Sequence, residues 1–225
     1  MAALPAQNAD ALYADREHLA SARQAAEMWA ADLARDAKNF EAAWKLSRVC
    51  YWLGGHAPQA ERRSFLERGM NAAQQAISVQ PNRPEGHFWR AATMGTLAEN
   101  SGLTGGLKYR KPVKQELETV LRLDPAYMDG SADRVLGRWY FKVPGLFGGS
   151  KALSERHLRT SLRYDPNSTV SHFFLAELLL DQGRASEARA ELQAVIDAPP
   201  NAQWAPEDRE YKEKARALLP KTSSR

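Results

Sequence analysis

Residues 166–200 read PNSTVSHFFLAELLLDQGRASEARAELQAVIDAPP. Two short amphipathic helices and a tight turn account for this stretch. The first helix carries Phe173, Leu175, Ala176, Leu179 and Leu180, and Gly183 closes it, since glycine enters a left-handed cap without steric cost. The second carries Ala188, Leu192, Val195 and Ile196 at helical spacing, and Pro199-Pro200 stops it. A pair this short cannot bury both of its apolar faces alone, so it predicts neighbours of the same kind.

The neighbours are written into the chain. A helix end, an Asp or Gln, a Pro and a new helix start recur at Gln80-Pro81, Asp124-Pro125 and Asp165-Pro166, with a weaker copy at Asp36-Ala37. Positions 37, 81, 125, 166 and 200 stand 44, 44, 41 and 34 residues apart. The last spacing is that of the tetratricopeptide (TPR) helix-turn-helix unit. The expected fold is therefore all-α, a TPR-like α-solenoid: a right-handed superhelix of about four helix pairs with capping helices. The expected repeats are 38–80, 82–124, 126–165 and 167–200 within one domain spanning 10–220. A capping helix is expected over 206–219, with disordered ends at 1–9 and 221–225. One long helix is expected from Asp10 to Arg35. The three longer repeats place their extra residues between paired helices, at 54–58, 100–106 and 143–150. Such insertions emerge on one side of a solenoid and are natural binding loops. Leu146 and Phe147 are expected to tuck back onto the helices.

Composition narrows the function classes. Apolar residues make up 44% of the chain, the formal charge is +4 and the mean hydropathy is −0.55. No apolar run approaches the length of a membrane span, and a mild basic excess spread through mixed-sign helices does not call for nucleic acid. The amino terminus lacks the basic start and apolar core of a leader peptide. A periplasmic place is expected if an export signal precedes this stretch, and a cytoplasmic one otherwise. Cys50, the single cysteine, sits in an apolar segment and reads as a buried hydrophobe.

Catalytic patterns are missing where they were sought. The five histidines make no H-x-x-x-H pair, and no C-x-x-C stands beside them, so no metal site is expected. Residues 145–151, GLFGGSK, resemble a phosphate loop but lack its G-K-[ST] ending and a preceding strand. No cofactor and no enzymatic activity are expected.

Two clusters suit binding instead. Lys108, Tyr109 and Lys111 lie in a basic stretch read as a loop entering a helix at Pro112, where an electropositive helix start holds carboxylate or phosphate; a solvated charge run is the alternative. Arg134, Arg138 and Phe141 share one helix face at i, i+4 and i+7. That face would suit an acidic peptide terminus or a small organic anion; an ion pair with the adjacent repeat is the alternative. Phe173 and Glu177 on the first helix of the last repeat complete the expected binding set.

Four stretches carry a family resemblance: 84–92 PEGHFWRAA, 97–103 LAENSGL, 118–125 ETVLRLDP and 136–151 LGRWYFKVPGLFGGSK. Over roughly 40–200 the chain resembles the T component of TRAP transporters, the TatT family. The spacing Leu136, Gly137, Arg138, Tyr140, Lys142, Pro144, Gly148 and Gly149 is the most specific part. A more distant similarity is to the regulators of microtubule dynamics. The resemblance implies a non-enzymatic bacterial TPR protein, exported and often lipid-anchored, that associates with a periplasmic solute-binding protein. A homo-oligomer passing a small organic or hydrophobic ligand is part of what it implies. A general TPR scaffold for protein assembly is the other reading.

Overall fold

The computed structural model describes residues 8–222, apart from the side chains of residues 103–105. Eleven α-helices and two short 3-10 turns make up the described residues: α1 (Ala9–Ala14), α2 (Leu19–Arg35), α3 (Phe40–His56), α4 (Gln59–Val79), α5 (Pro84–Asn100), α6 (Gly102–Leu123), α7 (Tyr127–Lys142), α8 (Lys151–Tyr164), α9 (Thr169–Asp181), α10 (Ala185–Asp197) and α11 (Ala205–Leu218). No strand occurs among them. The chain divides into two compact units, Met1–Leu123 and Asp124–Arg225, and each is described by itself.

All four repeats open on the same backbone turn. The amides of Asn39, Arg83, Tyr127 and Ser168 each donate to the carbonyl three residues earlier, on Asp36, Gln80, Asp124 and Asp165. The three aspartates add a second tie, because each side chain accepts from the amide two residues on, at Lys38, Ala126 and Asn167. This is the local bond that makes Asp a turn former. The repeated residue pattern is thus a repeated hydrogen-bond pattern. Asn39, Ser150 and Ser168 then cap α3, α8 and α9 with side-chain oxygens.

In the first unit α3 pairs with α4 and α5 with α6. Val49, Cys50, Leu53, Leu66 and Ala73 are fully buried there. Burial pushes the Cys50 thiol up to about 12, so almost no thiolate exists near neutrality. Cys50 is expected to resist iodoacetamide at about pH 8 in the folded protein and to react once urea unfolds it, as mass spectrometry of the alkylated chain would show. In the second unit α7 pairs with α8 and α9 with α10, around Leu136, Leu158, Leu175, Leu178, Leu179 and Leu192. Tyr211 and Ala215 of α11 close the last pair by packing on Phe173 and Val195.

Three sequence expectations change. The Asp10–Arg35 helix is broken at 15–18 into α1 and α2. At the break Arg16 is buried, its guanidinium over the Tyr13 and Trp52 rings, and its carbonyl accepts the Trp52 indole N–H at 2.7 Å. A continuous helix would engage that carbonyl in its own ladder. Second, only one of the three insertions is a loop. Residues 54–56 extend α3, and α6 starts at Gly102, so the extra length of the first two repeats lies mainly in the helices. Third, Ala9 already belongs to α1, and Lys221 and Thr222 to the closing 3-10 turn, with both Ala9 and Thr222 buried. Residues 1–7 and 223–225, the rest of the expected disordered ends, lie outside the described residues.

Candidate functional site

Helix α7 starts unusually. Met128, Asp129 and Gly130 all take left-handed backbone angles, so regular helix begins at Ser131. From there Arg134, Arg138 and Phe141 form the expected stripe, each half-buried. Arg138 donates to the Glu177 carboxylate on α9, and its guanidinium lies 4.6 Å from the Phe174 ring centre. The structure therefore joins Arg138 and Glu177 directly, as a tie between successive repeats. Phe141 packs toward Leu158, Leu175, Leu178 and Leu179. Phe173 is buried among Ala176, Leu192 and Val195, with Tyr211 against its ring, and serves the core rather than an open face. Phe174 was missed by sequence reasoning, although its i, i+3 relation to Glu177 places both on one face.

The basic cluster belongs to the first unit and is not a loop. Lys108, Tyr109 and Lys111 all lie inside α6, and Pro112 sits in the helix interior. Pro112 lacks an N–H, so its effect is to withdraw one bond from the carbonyl four residues earlier. It exposes no fresh helix start, so the expected loop entering a helix at Pro112 is a continuous helix instead. Lys108 and Lys111 are exposed, and the Lys108 ammonium lies 5.3 Å from the half-buried Tyr109 ring.

The inserted loop that remains, 143–150, is tightly built. Phe147 and Gly149 donate to the Pro144 carbonyl at 2.8 and 3.2 Å, Gly148 to Gly145 at 3.0 Å, and Ser150 to Tyr140 at 2.9 Å. Gly148 is left-handed at φ +102°. A Cβ on Gly149 would lie 1.6 Å from the Val143 carbonyl oxygen, so only glycine fits there. This bonded frame holds Leu146 outward at 90% exposure. The expectation that Leu146 tucks onto the helices is overturned. The backbone bonds of the loop fix Leu146 outward, while Phe147 turns inward to half burial. Lys142 and Lys151, both exposed, flank the loop, and Lys151 pairs with Asp181 at 2.5 Å. Among the described residues no group of three His, Cys, Asp or Glu could hold a metal ion, and no helix is long and apolar enough to cross a membrane.

The model of the TRAP transporter T-component family matches residues 85–224, which include both the loop and α7. The chain belongs to the TRAP transporter T-component family. The model of regulator of microtubule dynamics proteins 1-3 matches residues 6–153, so this T-component chain belongs to that family as well, and the two matches overlap over 85–153. Regulator of microtubule dynamics protein 3 from Xenopus laevis is 27% identical over 62% of the chain, and its counterpart from Bos taurus 28% over 60%. The chain spans 29% of the length of each of these curated relatives. Among solved structures, a thermophilic TPR protein of Thermus thermophilus is similar at a TM-score of 0.69 and 19% identity, covering 94% of this chain and 95% of that one. MamA is similar at a TM-score of 0.54 and 13% identity, covering 94% and 99%. These likenesses establish a TPR-like helical fold for the T-component chain.

Proposed function

We propose that this chain is a non-catalytic TPR adaptor of a TRAP-type solute transport system, and that it docks a solute-binding protein through the loop at Leu146. The observation that carries the reading is a large apolar side chain held at 90% exposure on a loop tied by four backbone bonds. Flexible loops lose entropy when they bind; a frame already ordered by four backbone bonds loses little. The partner chemistry that fits is an apolar pocket with carboxylates near its rim, facing Leu146 and the flanking lysines. Family membership supports the transport setting, and a periplasmic place belongs to the same proposal. Two separate sets stay in the proposal, each within its own unit: Arg134, Arg138, Phe141 and Glu177 for a peptide terminus or small organic anion, and Lys108, Tyr109 and Lys111 for a small anion; Phe173 backs the first set from the core. A homo-oligomer remains part of it.

The match to the regulators of microtubule dynamics favours a second reading, a general TPR scaffold without a transport role. Biolayer interferometry against the solute-binding protein of the same genome's transporter separates the two. Burying a leucine contributes about 1.5–3 kcal/mol, so Leu146→Glu is expected to weaken binding at least about tenfold while leaving the melting temperature unchanged. Gly149→Ala should also weaken binding by rebuilding the loop, but with a lower melting temperature, because its Cβ would meet the Val143 carbonyl. Equal binding by both variants removes Leu146 from the interface, and failure of the unmodified chain to bind leaves the scaffold reading.

A further inference from the structure

Two histidines in different units make the same unusual pair of bonds. His87, near the start of α5, places Nε2 2.9 Å from the Pro81 carbonyl oxygen and Nδ1 2.5 Å from a Glu116 carboxylate oxygen on α6. His172, near the start of α9, places Nε2 2.9 Å from the Pro166 carbonyl oxygen and Nδ1 2.5 Å from a Glu191 oxygen on α10. Each proline is the residue six positions earlier, in the turn that opens the repeat. Each clamp therefore joins three parts of one repeat: the entry turn, the first helix and the second helix.

The proton count follows from the acceptors. A carbonyl oxygen has no proton to give, so Nε2 must carry one. In a neutral ring Nδ1 would then turn its lone pair toward a carboxylate oxygen, which is repulsive at this distance. The bond exists only with a further proton between ring and carboxylate. A neutral ring beside an ionised carboxylate is one proton short.

We propose that these clamps are proton-dependent latches, fastening the second and fourth repeats while the bridging proton is held and loosening them when it leaves as the pH rises past neutrality.

The surrounding charges favour the protonated ring. The bond to Glu116 raises the His87 pKa above its ordinary value, outweighing burial; the Pro81 carbonyl adds to this and Arg90, on the same helix, opposes it. At this end of α5 the neighbouring α4 presents Ala76 and Ile77 beneath Gly86, and α3 meets α5 through Tyr51 on Trp89. Arg90 also binds Glu116, whose carboxyl lies below its usual range: burial pushes it up, and the His87 bond and the two cations bring it down. For His172 burial alone would lower the pKa, yet the Glu191 bond, the Pro166 carbonyl and the charges of Glu191 and Asp165 leave it raised. The other charged groups on elements packed there are Arg159 of α8, 4.0 Å from Glu191, Asp208 of α11, bonded to Thr169, and the Arg138–Glu177 pair of α7 and α9.

Both folded pKa values lie above the ordinary 6.5. The stabilisation is thus fully present below that value and is lost as the pH rises through the raised ones. A tenfold gain in a histidine's proton affinity on folding corresponds to about a tenfold change in the folding constant. The test uses the full chain. Long-range nitrogen–proton NMR of the imidazoles at neutral pH should show both nitrogens of His87 and His172 protonated, and the urea midpoint should fall between about pH 6.5 and about pH 8.5. The Glu116→Gln/Glu191→Gln variant discriminates: an amide can donate to Nδ1, so a neutral ring satisfies both bonds. Its midpoint should lose most of that pH slope. A bare Nδ1 in the unmodified protein at neutral pH, or a slope that survives both substitutions, overturns the proposal; the NMR result stands even if the variant does not fold.

Discussion

Leu158→Ala is expected to lower the unfolding free energy by about 2–5 kcal/mol, the usual range for emptying a fully buried leucine site. Leu158 on α8 is 0% exposed and packs beside Leu175, Leu178 and Leu179 of α9. It also lies over Gly137 of α7: a Cβ placed there would stand 2.5 Å from Leu158 Cγ and 3.2 Å from its backbone nitrogen. The missing side chain at Gly137 lets the two helices approach until the Ser154 hydroxyl donates to the Gly137 carbonyl at 2.7 Å. Gly137→Ala should therefore cost about 1–3 kcal/mol by overpacking. The two changes should not add. In the double variant the new methyl enters the space that Leu158 left, so a coupling of about 0.5–3 kcal/mol is expected. Urea unfolding of the four proteins in the cycle measures it, and strict additivity would refute the packing described for α7 and α8.

Arg138→Glu should have the next largest effect, a loss of about 1–3 kcal/mol, between an exposed ion pair and a buried one. The Arg138 and Glu177 side chains are 22% and 26% exposed, and the guanidinium also covers the Phe174 ring. The substitution removes both contacts and sets two carboxylates against each other. The sequence left Arg138 to a small anion or to an ion pair with the adjacent repeat; the observed pair with Glu177 makes a drop in melting the expected outcome. Exchanging the charges as Arg138→Glu/Glu177→Arg should recover most of the loss. If the exchange does not restore melting, Arg138 contributes through something other than this pair.

The repeat was legible because it is made of local bonds. Asp36, Asp124 and Asp165 fold back on amides two residues away, and the apolar positions of each helix recur at a spacing that the chain itself displays. The family stretch at 136–151 was legible for a similar reason, since Gly149 fits only against its own neighbour Val143. The site was much less legible. Spacing placed Arg134, Arg138 and Phe141 on one face, yet it could not say whether Arg138 faced a ligand or Glu177, 39 residues away.

Local chemistry by itself determined the helical class, the four repeat starts, the Gly183 cap and the glycine-rich 143–150 turn. Tertiary structure alone decided that two of the three insertions lengthen helices, that Arg16 interrupts the first one, that Leu146 stands in solvent, and that His87 and His172 each meet a glutamate from the partner helix. The division has one physical cause. A turn or cap is satisfied by groups a few residues apart, whereas a side chain's partner across helices depends on where distant segments come to rest, and short-range spacing does not encode that position.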